Sequence, residues 1–141
     1  MLLGLYGHSN SGKTTLLEEL IPRLEELGLR VATIKQTHHD VTAATEGKDT
    51  WRHRRAGANP VALSSRAETA LFLGQKLPLE KTVALIRTVR EVDLILLEGW
   101  KDEEVPKIFL GDGQPRPGTV LRFDGQIKPV VDLIQRMLAQ R

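Results

Sequence analysis

Nine residues near the start of the chain have the types and spacing of a phosphate-binding loop. They read Gly7-His8-Ser9-Asn10-Ser11-Gly12-Lys13-Thr14-Thr15, a complete G-x-x-x-x-G-K-T pattern. Two glycines at this spacing let successive backbone N–H groups point at phosphate oxygens, beside the positive end of a helix. The pattern places Lys13 on the β- and γ-phosphates and the Thr14 hydroxyl on Mg²⁺. The loop therefore predicts a nucleoside triphosphate site.

A P-loop protein also needs a carboxylate near the metal, at the end of a second buried strand. The segment Asp93-Leu-Ile-Leu-Leu-Glu98-Gly99 supplies one, because Glu98 follows four apolar residues and precedes a glycine. Asp93 comes before the run and is expected at the opposite end, on the surface. We therefore predict that Glu98 serves the Mg²⁺ shell and takes part in catalysis with Lys13.

Two polar segments follow the second predicted strand. The first contains Lys35 and the adjacent pair His38-His39, whose side chains diverge and so do not form a helical metal pair. The second runs from Gly47 to Ala58, where Asp49 or Thr50 is expected to cap a short helix with Trp51, Arg52 and Arg55. These cations suit an anionic ligand or partner, but for any single one of them a solvated helix face is the commoner explanation.

Hydrophobic periodicity supplies the elements that position these residues. Short apolar runs predict strands at Leu2–Tyr6, Arg30–Ile34, Val61–Leu63, Thr69–Leu73 and Leu94–Leu97, and Lys107–Leu110 and Val120–Phe123 flank the loop 111–118. Three- and four-residue spacing predicts helices at Thr15–Leu27, Leu79–Arg90 and Val130–Leu138. This order predicts an α/β fold, a three-layer P-loop NTPase-type sheet, mostly parallel, with ligand at the carboxyl ends of its strands.

Composition narrows the class of protein further. The 141 residues are 40% hydrophobic and 27% charged, which fits one nucleotide-binding domain over residues 1–141. The absence of cysteine excludes disulfides and thiolate metal sites. The net charge of +2 is spread along the chain, so we expect neither a nucleic-acid partner nor a membrane partner. No secretory signal is recognisable, and a cytoplasmic location is expected.

Several segments together resemble the molybdopterin-guanine dinucleotide biosynthesis protein B family, MobB. The resemblance covers roughly residues 2 to 110 and lies in the phosphate loop, the Lys35-x-x-His38-His39 turn, Gly47-Lys48-Asp49, Arg54–Ala58, Leu97-Glu98-Gly99-Trp100-Lys101 and Pro106-Lys107-Ile108. Members of that family resemble small SIMIBI-type P-loop proteins that bind GTP, hydrolyse it slowly and form dimers. They assist the transferase that attaches GMP to molybdopterin.

The resemblance implies roles for individual residues. Gly7–Thr15 would hold the nucleotide phosphates, Thr14 and Glu98 would hold Mg²⁺, and a neighbouring part of the site would be lined by Lys35, Gly47, Lys48, Asp49 and Lys101. Arg52 and Arg55 would meet the pterin phosphate or a partner. The implied partners are the molybdopterin guanylyltransferase or a molybdopterin-bearing protein, and a second copy of the chain. A guanine preference rests on the resemblance alone.

Three functions remain open at this point. The first is a GTP-binding adapter with weak hydrolysis, in which an arginine such as Arg52 or Arg55 from another copy would speed the reaction. The second is a small-molecule kinase that uses the same phosphate loop. It would need a catalytic carboxylate near the acceptor and an arginine lid, neither of which is evident. The third is a binding module in which hydrolysis is incidental.

Overall fold

The phosphate loop follows the first strand of a parallel sheet in the computed structural model, which describes residues 1–140. The elements in chain order are β1 (Leu2–Gly7), α1 (Lys13–Glu26), β2 (Val31–Lys35), α2 (Asp49–Arg55), β3 (Val61–Ser64), β4 (Thr69–Phe72), α3 (Leu79–Val89), β5 (Leu94–Glu98), β6 (Lys107–Leu110), β7 (Thr119–Phe123) and α4 (Ile127–Ala139). The prediction of an α/β fold with a mostly parallel sheet is confirmed.

The main sheet has five strands in the order β2-β5-β1-β6-β7, and every neighbouring pair is parallel. β1 and β2 are parallel, but β5 lies between them and pairs with both, from Leu2↔Ile95 on one side to Lys35↔Glu98 on the other. Because the strands are parallel, their carboxyl ends share one edge of the sheet. That edge contains the ends of β1, β2 and β5.

The hydrophobic core of this sheet lies on the face that packs against α1 and α4. Alternate residues of each strand point to this face, and the two helices also contact each other. The side chains that share this core are Met1, Leu3, Leu5, Leu16, Leu17, Leu20, Leu24, Leu94, Leu96, Ile108, Leu110, Val130 and Ile134. The face is therefore almost entirely aliphatic, and most of its leucines come from β1, β5 and α1.

The opposite face beside β6 is covered by the connection 111–118 instead of a helix. The rings of Tyr6 and Phe109 stack there with centroids 5.0 Å apart. The Tyr6 hydroxyl lies 2.7 Å from Thr119 Oγ1 and accepts a 2.7 Å hydrogen bond from the backbone N–H of Arg116. A connection of eight residues between parallel neighbours is short, since such strands usually need a dozen or more.

The chain divides into two compact units. The first contains Met1–Gln36 together with the chain from Val83 onward, and the second is Thr37–Thr82. In the second unit β3 and β4 form a separate antiparallel pair, whereas the apolar pattern offers no reason to separate these runs from the main sheet. The Ser65 hydroxyl reverses the chain by accepting hydrogen bonds from the N–H groups of Ala67 and Glu68. So short a turn permits antiparallel pairing but not a parallel crossover.

Within residues 1–140, no helix has both the length and the apolar character needed to cross a membrane.

Candidate functional site

The phosphate loop joins the end of β1 to the start of α1. Its backbone turns through two positive φ angles, +61° at Asn10 and +85° at Gly12. Gly12 is the N-cap of α1, and no side chain in the described part of the protein caps the helix. The first N–H groups of an α-helix have no intrahelical partner, so this helix start can receive an anion. The nine predicted loop residues, Gly7, His8, Ser9, Asn10, Ser11, Gly12, Lys13, Thr14 and Thr15, lie contiguously around it.

Gly7 is fixed by close contact with the neighbouring strand. A Cβ at this position would lie 2.1 Å from the carbonyl oxygen of Leu110 and 2.6 Å from Ser11 Oγ. Both distances are far below van der Waals contact, so only glycine fits without a shift of the backbone. The first glycine of the motif is thus required by the packing of β1 against β6.

The Lys13 ammonium folds back over the loop. It donates hydrogen bonds to the carbonyl oxygens of Gly7, at 3.2 Å, and His8, at 2.6 Å, and to Ser11 Oγ at 3.2 Å. An ammonium has three donors, and all three are directed at loop oxygens. The side chain therefore lies over the concave loop, and phosphate oxygens can replace the same acceptors.

Three polar side chains from three elements meet at the end of β5. Thr14 Oγ1 donates a 3.2 Å hydrogen bond to Glu98 Oε1, and Lys35 Nζ lies 3.4 Å from the same oxygen. The Glu98 side chain is 12% exposed, so its charge is largely shielded from water. The pair of a threonine hydroxyl and a carboxylate offers the hard oxygen ligands that Mg²⁺ prefers.

Residues 1–140 contain no group of three or more histidine, cysteine, aspartate or glutamate side chains that could hold a metal ion. His38 and His39 therefore do not belong to such a cluster in the described part of the chain. Mg²⁺ needs less from the protein, because it is commonly held by one or two side chains together with substrate phosphates and water. The Thr14–Glu98 pair fits that requirement.

The glycine after Glu98 brings the ends of β2 and β5 close together. Gly99 has a φ of +91°, and a Cβ there would lie 2.7 Å from the carbonyl oxygen of Gln36. The Gln36 N–H donates a 2.8 Å hydrogen bond to the carbonyl oxygen of Glu98. These contacts hold the Glu98 backbone at the sheet edge, which the sequence alone does not predict.

The next residues, Trp100 and Lys101, lead away from the loop. Lys101 lines a cavity of about 560 Å³ that no residue of the phosphate loop lines. Lys107, which is 5% exposed, also lines it and donates hydrogen bonds to the carbonyl oxygens of Lys101 and Glu103. A buried lysine at the start of an apolar strand gives no periodicity signal, so the structural role of Lys107 was missed.

The other predicted residues belong to the second unit. Gly47 has a φ of +79°, and Lys48, not Asp49 or Thr50, is the N-cap of α2. The predicted side-chain cap is wrong, because no side chain within residues 1–140 forms a cap hydrogen bond there. Asp49 instead lies 3.9 Å from an Arg52 nitrogen in an exposed pair. The roles of Gly47, Lys48, Asp49 and Lys101 in nucleotide binding stay predictions.

Arg55 and Arg54 have a different environment from Arg52. The Arg55 guanidinium lies over the Trp51 ring, 5.1 Å from its centroid, and Arg54 donates a 3.1 Å hydrogen bond to Thr42 Oγ1. These side chains line a cavity of about 350 Å³ within the second unit. The sequence analysis assigned a ligand role to Arg52 and Arg55, whereas it named Arg54 only as part of the segment Arg54–Ala58.

Comparisons with known proteins agree with the resemblance seen in the sequence. The model of the family Molybdopterin guanine dinucleotide synthesis protein B matches residues 2–125. The chain is 43% identical over 110 residues to the molybdopterin-guanine dinucleotide biosynthesis adapter protein of Haemophilus influenzae, covering 77% of this chain and 62% of that protein. It is 41% identical over 113 residues to the Escherichia coli protein of that name, covering 77% and 64%. The chain thus matches less than two thirds of the length of these relatives.

Solved structures agree on the fold. The crystal structure of Bacillus subtilis MobB superposes with a TM-score of 0.70 at 24% identity and covers 99% of this chain and 96% of that one. A crystal structure of molybdopterin-guanine biosynthesis protein B gives a TM-score of 0.65 at 23% identity and covers 99% of each chain. Because the family model matches most of its residues, the chain belongs to the MobB family.

Proposed function

We propose that the chain binds GTP with Mg²⁺ at residues 7–15 and acts as an adapter in the attachment of GMP to molybdopterin. The observation that carries this proposal is the 3.2 Å hydrogen bond between Thr14 and Glu98 at the open start of α1. Those residues are 84 positions apart in the sequence. The names of the relatives, molybdopterin-guanine dinucleotide biosynthesis adapter proteins, support the assignment of the pathway.

The phosphates would be held mainly by the backbone of the loop and by Lys13. Phosphate oxygens would take the places of the Gly7 and His8 carbonyls as acceptors for the ammonium. The ammonium is a cation and phosphate oxygens are anionic, so Coulomb attraction would favour this exchange over hydrogen bonds to neutral carbonyl groups. The exchange would move the Lys13 ammonium onto the β- and γ-phosphates.

Thr14 and Glu98 would hold Mg²⁺ through one hydroxyl and one carboxylate oxygen. A bound Mg²⁺ supplies charge neutralisation for the phosphates. The Lys35 ammonium lies 3.4 Å from Glu98 Oε1 and partly balances the charge of that carboxylate. Glu98 would also orient the attacking water, while Lys13 stabilises charge on the transferred phosphoryl group.

We further propose slow hydrolysis, a homodimer and a cytoplasmic location, with one nucleotide-binding domain over residues 1–141. The partner would be the molybdopterin guanylyltransferase or a molybdopterin-bearing protein. An arginine from the second copy, Arg52 or Arg55, would raise the hydrolysis rate. The test is the GTPase rate per chain, measured against protein concentration for wild type and Arg52→Ala. If both rates are equal and do not change with concentration, Arg52 from a second copy does not speed hydrolysis.

The magnesium site is tested by measuring GTP affinity with and without Mg²⁺. Wild type is expected to gain affinity when Mg²⁺ is added. Glu98→Gln and Thr14→Val should lose most of that gain, about tenfold, while their Mg²⁺-free affinity stays near that of wild type, because each variant removes one hard oxygen ligand. Calorimetric titration measures both quantities on the same sample.

Glu18→Gln is the matched control, because Glu18 is an exposed carboxylate on α1. It should leave the gain from Mg²⁺ unchanged. If Glu98→Gln and Glu18→Gln respond to Mg²⁺ as wild type does, the metal is not held by Glu98 and the proposed site is wrong.

A further inference from the structure

The first unit contains a cavity of about 560 Å³ beside the starts of β6 and β7, and no residue of the phosphate loop lines it. Its volume is within the range of small-molecule sites. The lining consists of residues 101–107 together with Arg116, Pro117, Gly118 and Val120. Because β6 and β7 are parallel to β1, their starts lie at the edge of the sheet opposite the phosphate loop. The cavity is therefore separate from the nucleotide site.

A buried ammonium without an acidic partner lies in the wall of this cavity. The stem of Lys107 runs past Gly4, where a Cβ would lie only 2.8 Å from Lys107 Cγ. Two of the three ammonium donors are used on the carbonyl oxygens of Lys101 and Glu103. Among residues 1–140, no carboxylate forms an ion pair with Lys107. A buried charge is costly unless it is paired, so this ammonium favours an incoming anion.

Gly118 leaves space next to the ammonium. A Cβ on Gly118 would lie 3.3 Å from Lys107 Cε and 3.7 Å from its Nζ. The φ of Gly118 is +80°, a conformation that favours glycine. Since both residues line the cavity, a side chain at residue 118 would stand beside the ammonium. Glycine therefore keeps the end of the Lys107 side chain accessible to a ligand.

The other charged residues of the lining limit the charge of that anion. Lys101 and Arg116 are further cations, but Arg116 already forms an ion pair with Asp102. Glu103 and Glu104 also line the cavity and take part in no ion pair within residues 1–140. Their charges oppose a dianion such as phosphate more strongly than a monoanion. The lining therefore suits a carboxylate, which has a single negative charge.

Apolar side chains complete the lining: Val105, Pro106, Pro117 and Val120. They offer a surface on which a short hydrocarbon chain is removed from water, and such burial is favourable. A ligand that joins one carboxylate to a short aliphatic chain would use both parts of the cavity.

We propose that this cavity binds a small aliphatic monocarboxylate, with the carboxylate on the Lys107 ammonium and the hydrocarbon part against Val105 and Val120. The proposal goes beyond the nucleotide function and does not depend on it, because no residue of the phosphate loop takes part. A free acid and the terminal carboxylate of a peptide share this chemistry, and the titration includes both.

The experiment is an NMR titration of the ¹⁵N-labelled whole chain with isovalerate, with isovaleramide and with inorganic phosphate. Isovalerate should shift the backbone amide signals of the lining residues and leave those of residues 7–15 unchanged. Isovaleramide has the same shape without the charge, and phosphate brings a second charge close to two glutamates. We therefore expect each of them to bind at least about tenfold more weakly than isovalerate.

Two substitutions in the lining should have opposite effects. Lys107→Met keeps an unbranched stem but removes the ammonium, so the affinity for isovalerate should fall about tenfold or more. Glu104→Gln removes an exposed carboxylate and should raise the affinity about twofold at low salt. Glu25→Gln is the matched control, an exposed carboxylate of α1 outside the cavity, and should leave the affinity unchanged.

A third substitution keeps the inference testable where Lys107→Met does not fold. Val120 is 44% exposed, so Val120→Asp should fold and its charge should weaken isovalerate binding about fivefold, whereas Val120→Thr should not. Unchanged affinity in Val120→Asp, equal binding of isovalerate and isovaleramide, or signal shifts confined to residues 7–15 would each overturn the inference. Tighter binding of the N-acetylated tripeptide Ala-Ala-Val would also overturn it, because the cavity would then receive a chain terminus.

Discussion

At the scale of single residues, the candidate site depends on close contacts at three residues: Gly7, Lys13 and Glu98. Gly7 has no room for a Cβ, and Glu98 Oε1 is shared by a hydroxyl and an ammonium. The Lys13 ammonium directs its three donors at oxygens of the loop. We expect phosphate oxygens to replace these acceptors when nucleotide binds. The geometry of the site thus rests on contacts of about 3 Å, some of them within the loop and others, such as that of Thr14 with Glu98, between residues far apart in the sequence.

The Gly7→Ala variant tests the packing of the loop. We expect the free energy of unfolding to fall by about 3 kcal/mol, because the added methyl group meets backbone oxygen. Gly28→Ala is the control: that glycine has a positive φ of +77° but no described atom near a Cβ, so only strain of about 1 kcal/mol is expected. Urea unfolding of both variants measures the difference. Equal losses would show that the contact with Leu110 is relaxed in solution.

The sequence was sufficient for the residues of the phosphate loop and for the position of Glu98 after a buried strand. In both cases the motif and the strand pattern are local signals. It was insufficient for Lys35 on Glu98 and for Arg55 on Trp51. Those pairs depend on side-chain direction, which spacing does not determine. The sequence also did not predict that Lys107 is buried, because its hydrogen-bond partners are backbone carbonyl groups, which leave no signal in the residue types.

At the scale of elements, the position of β5 determines the site. The sequence predicts β1, α1 and β2 in succession within a mostly parallel sheet, and these two strands are parallel. However, β5 lies between them and brings Glu98 beside both strand ends. The order of the strands along the chain does not show that β5 lies between β1 and β2 in the sheet. The antiparallel β3–β4 pair was unexpected for a related reason, since a short apolar run does not reveal its partner.

One ion pair holds the start of β5 to the start of β2. Arg30 donates to both carboxylate oxygens of Asp93, at 3.0 and 2.9 Å, and its backbone N–H donates at 2.8 Å. The side-chain hydrogen bonds from Arg30 hold the pKa of Asp93 well below its ordinary value of 3.8. The register between Val31 and Leu94 begins immediately after this pair.

This pair predicts a dependence of stability on pH. A carboxyl group whose pKa is lowered by folding stabilises the protein above its unfolded pKa and loses that contribution as pH falls through the folded value. Asp93→Asn should therefore unfold at lower urea than wild type at about pH 7, and the gap should narrow below about pH 4. Glu91→Gln, whose carboxylate is far more exposed, should have a smaller effect. A gap that is constant with pH would contradict the role of the Asp93 charge.

At the scale of the whole molecule, the two units have different kinds of candidate site. The first unit holds a phosphate loop at the edge of a parallel sheet, which the family match and the solved MobB structures place among known folds. The second holds a small cavity with two arginines and a tryptophan. The family could be recognised from short motifs, whereas the second cavity needs the folded geometry of residues 42–74.

The central claim is that the phosphate loop binds GTP, and one titration tests it most directly. Wild type, Lys13→Ala and Lys128→Ala are titrated calorimetrically with GTP and with ATP in the presence of Mg²⁺. Lys128 is an exposed lysine of α4 paired with Asp132, so it is the matched control. We predict selective GTP binding by wild type and Lys128→Ala and no measurable binding by Lys13→Ala, since hydrogen bonds to a charged group contribute about 1.5–3 kcal/mol each. Preference for ATP, or unchanged GTP affinity in Lys13→Ala, would contradict the claim.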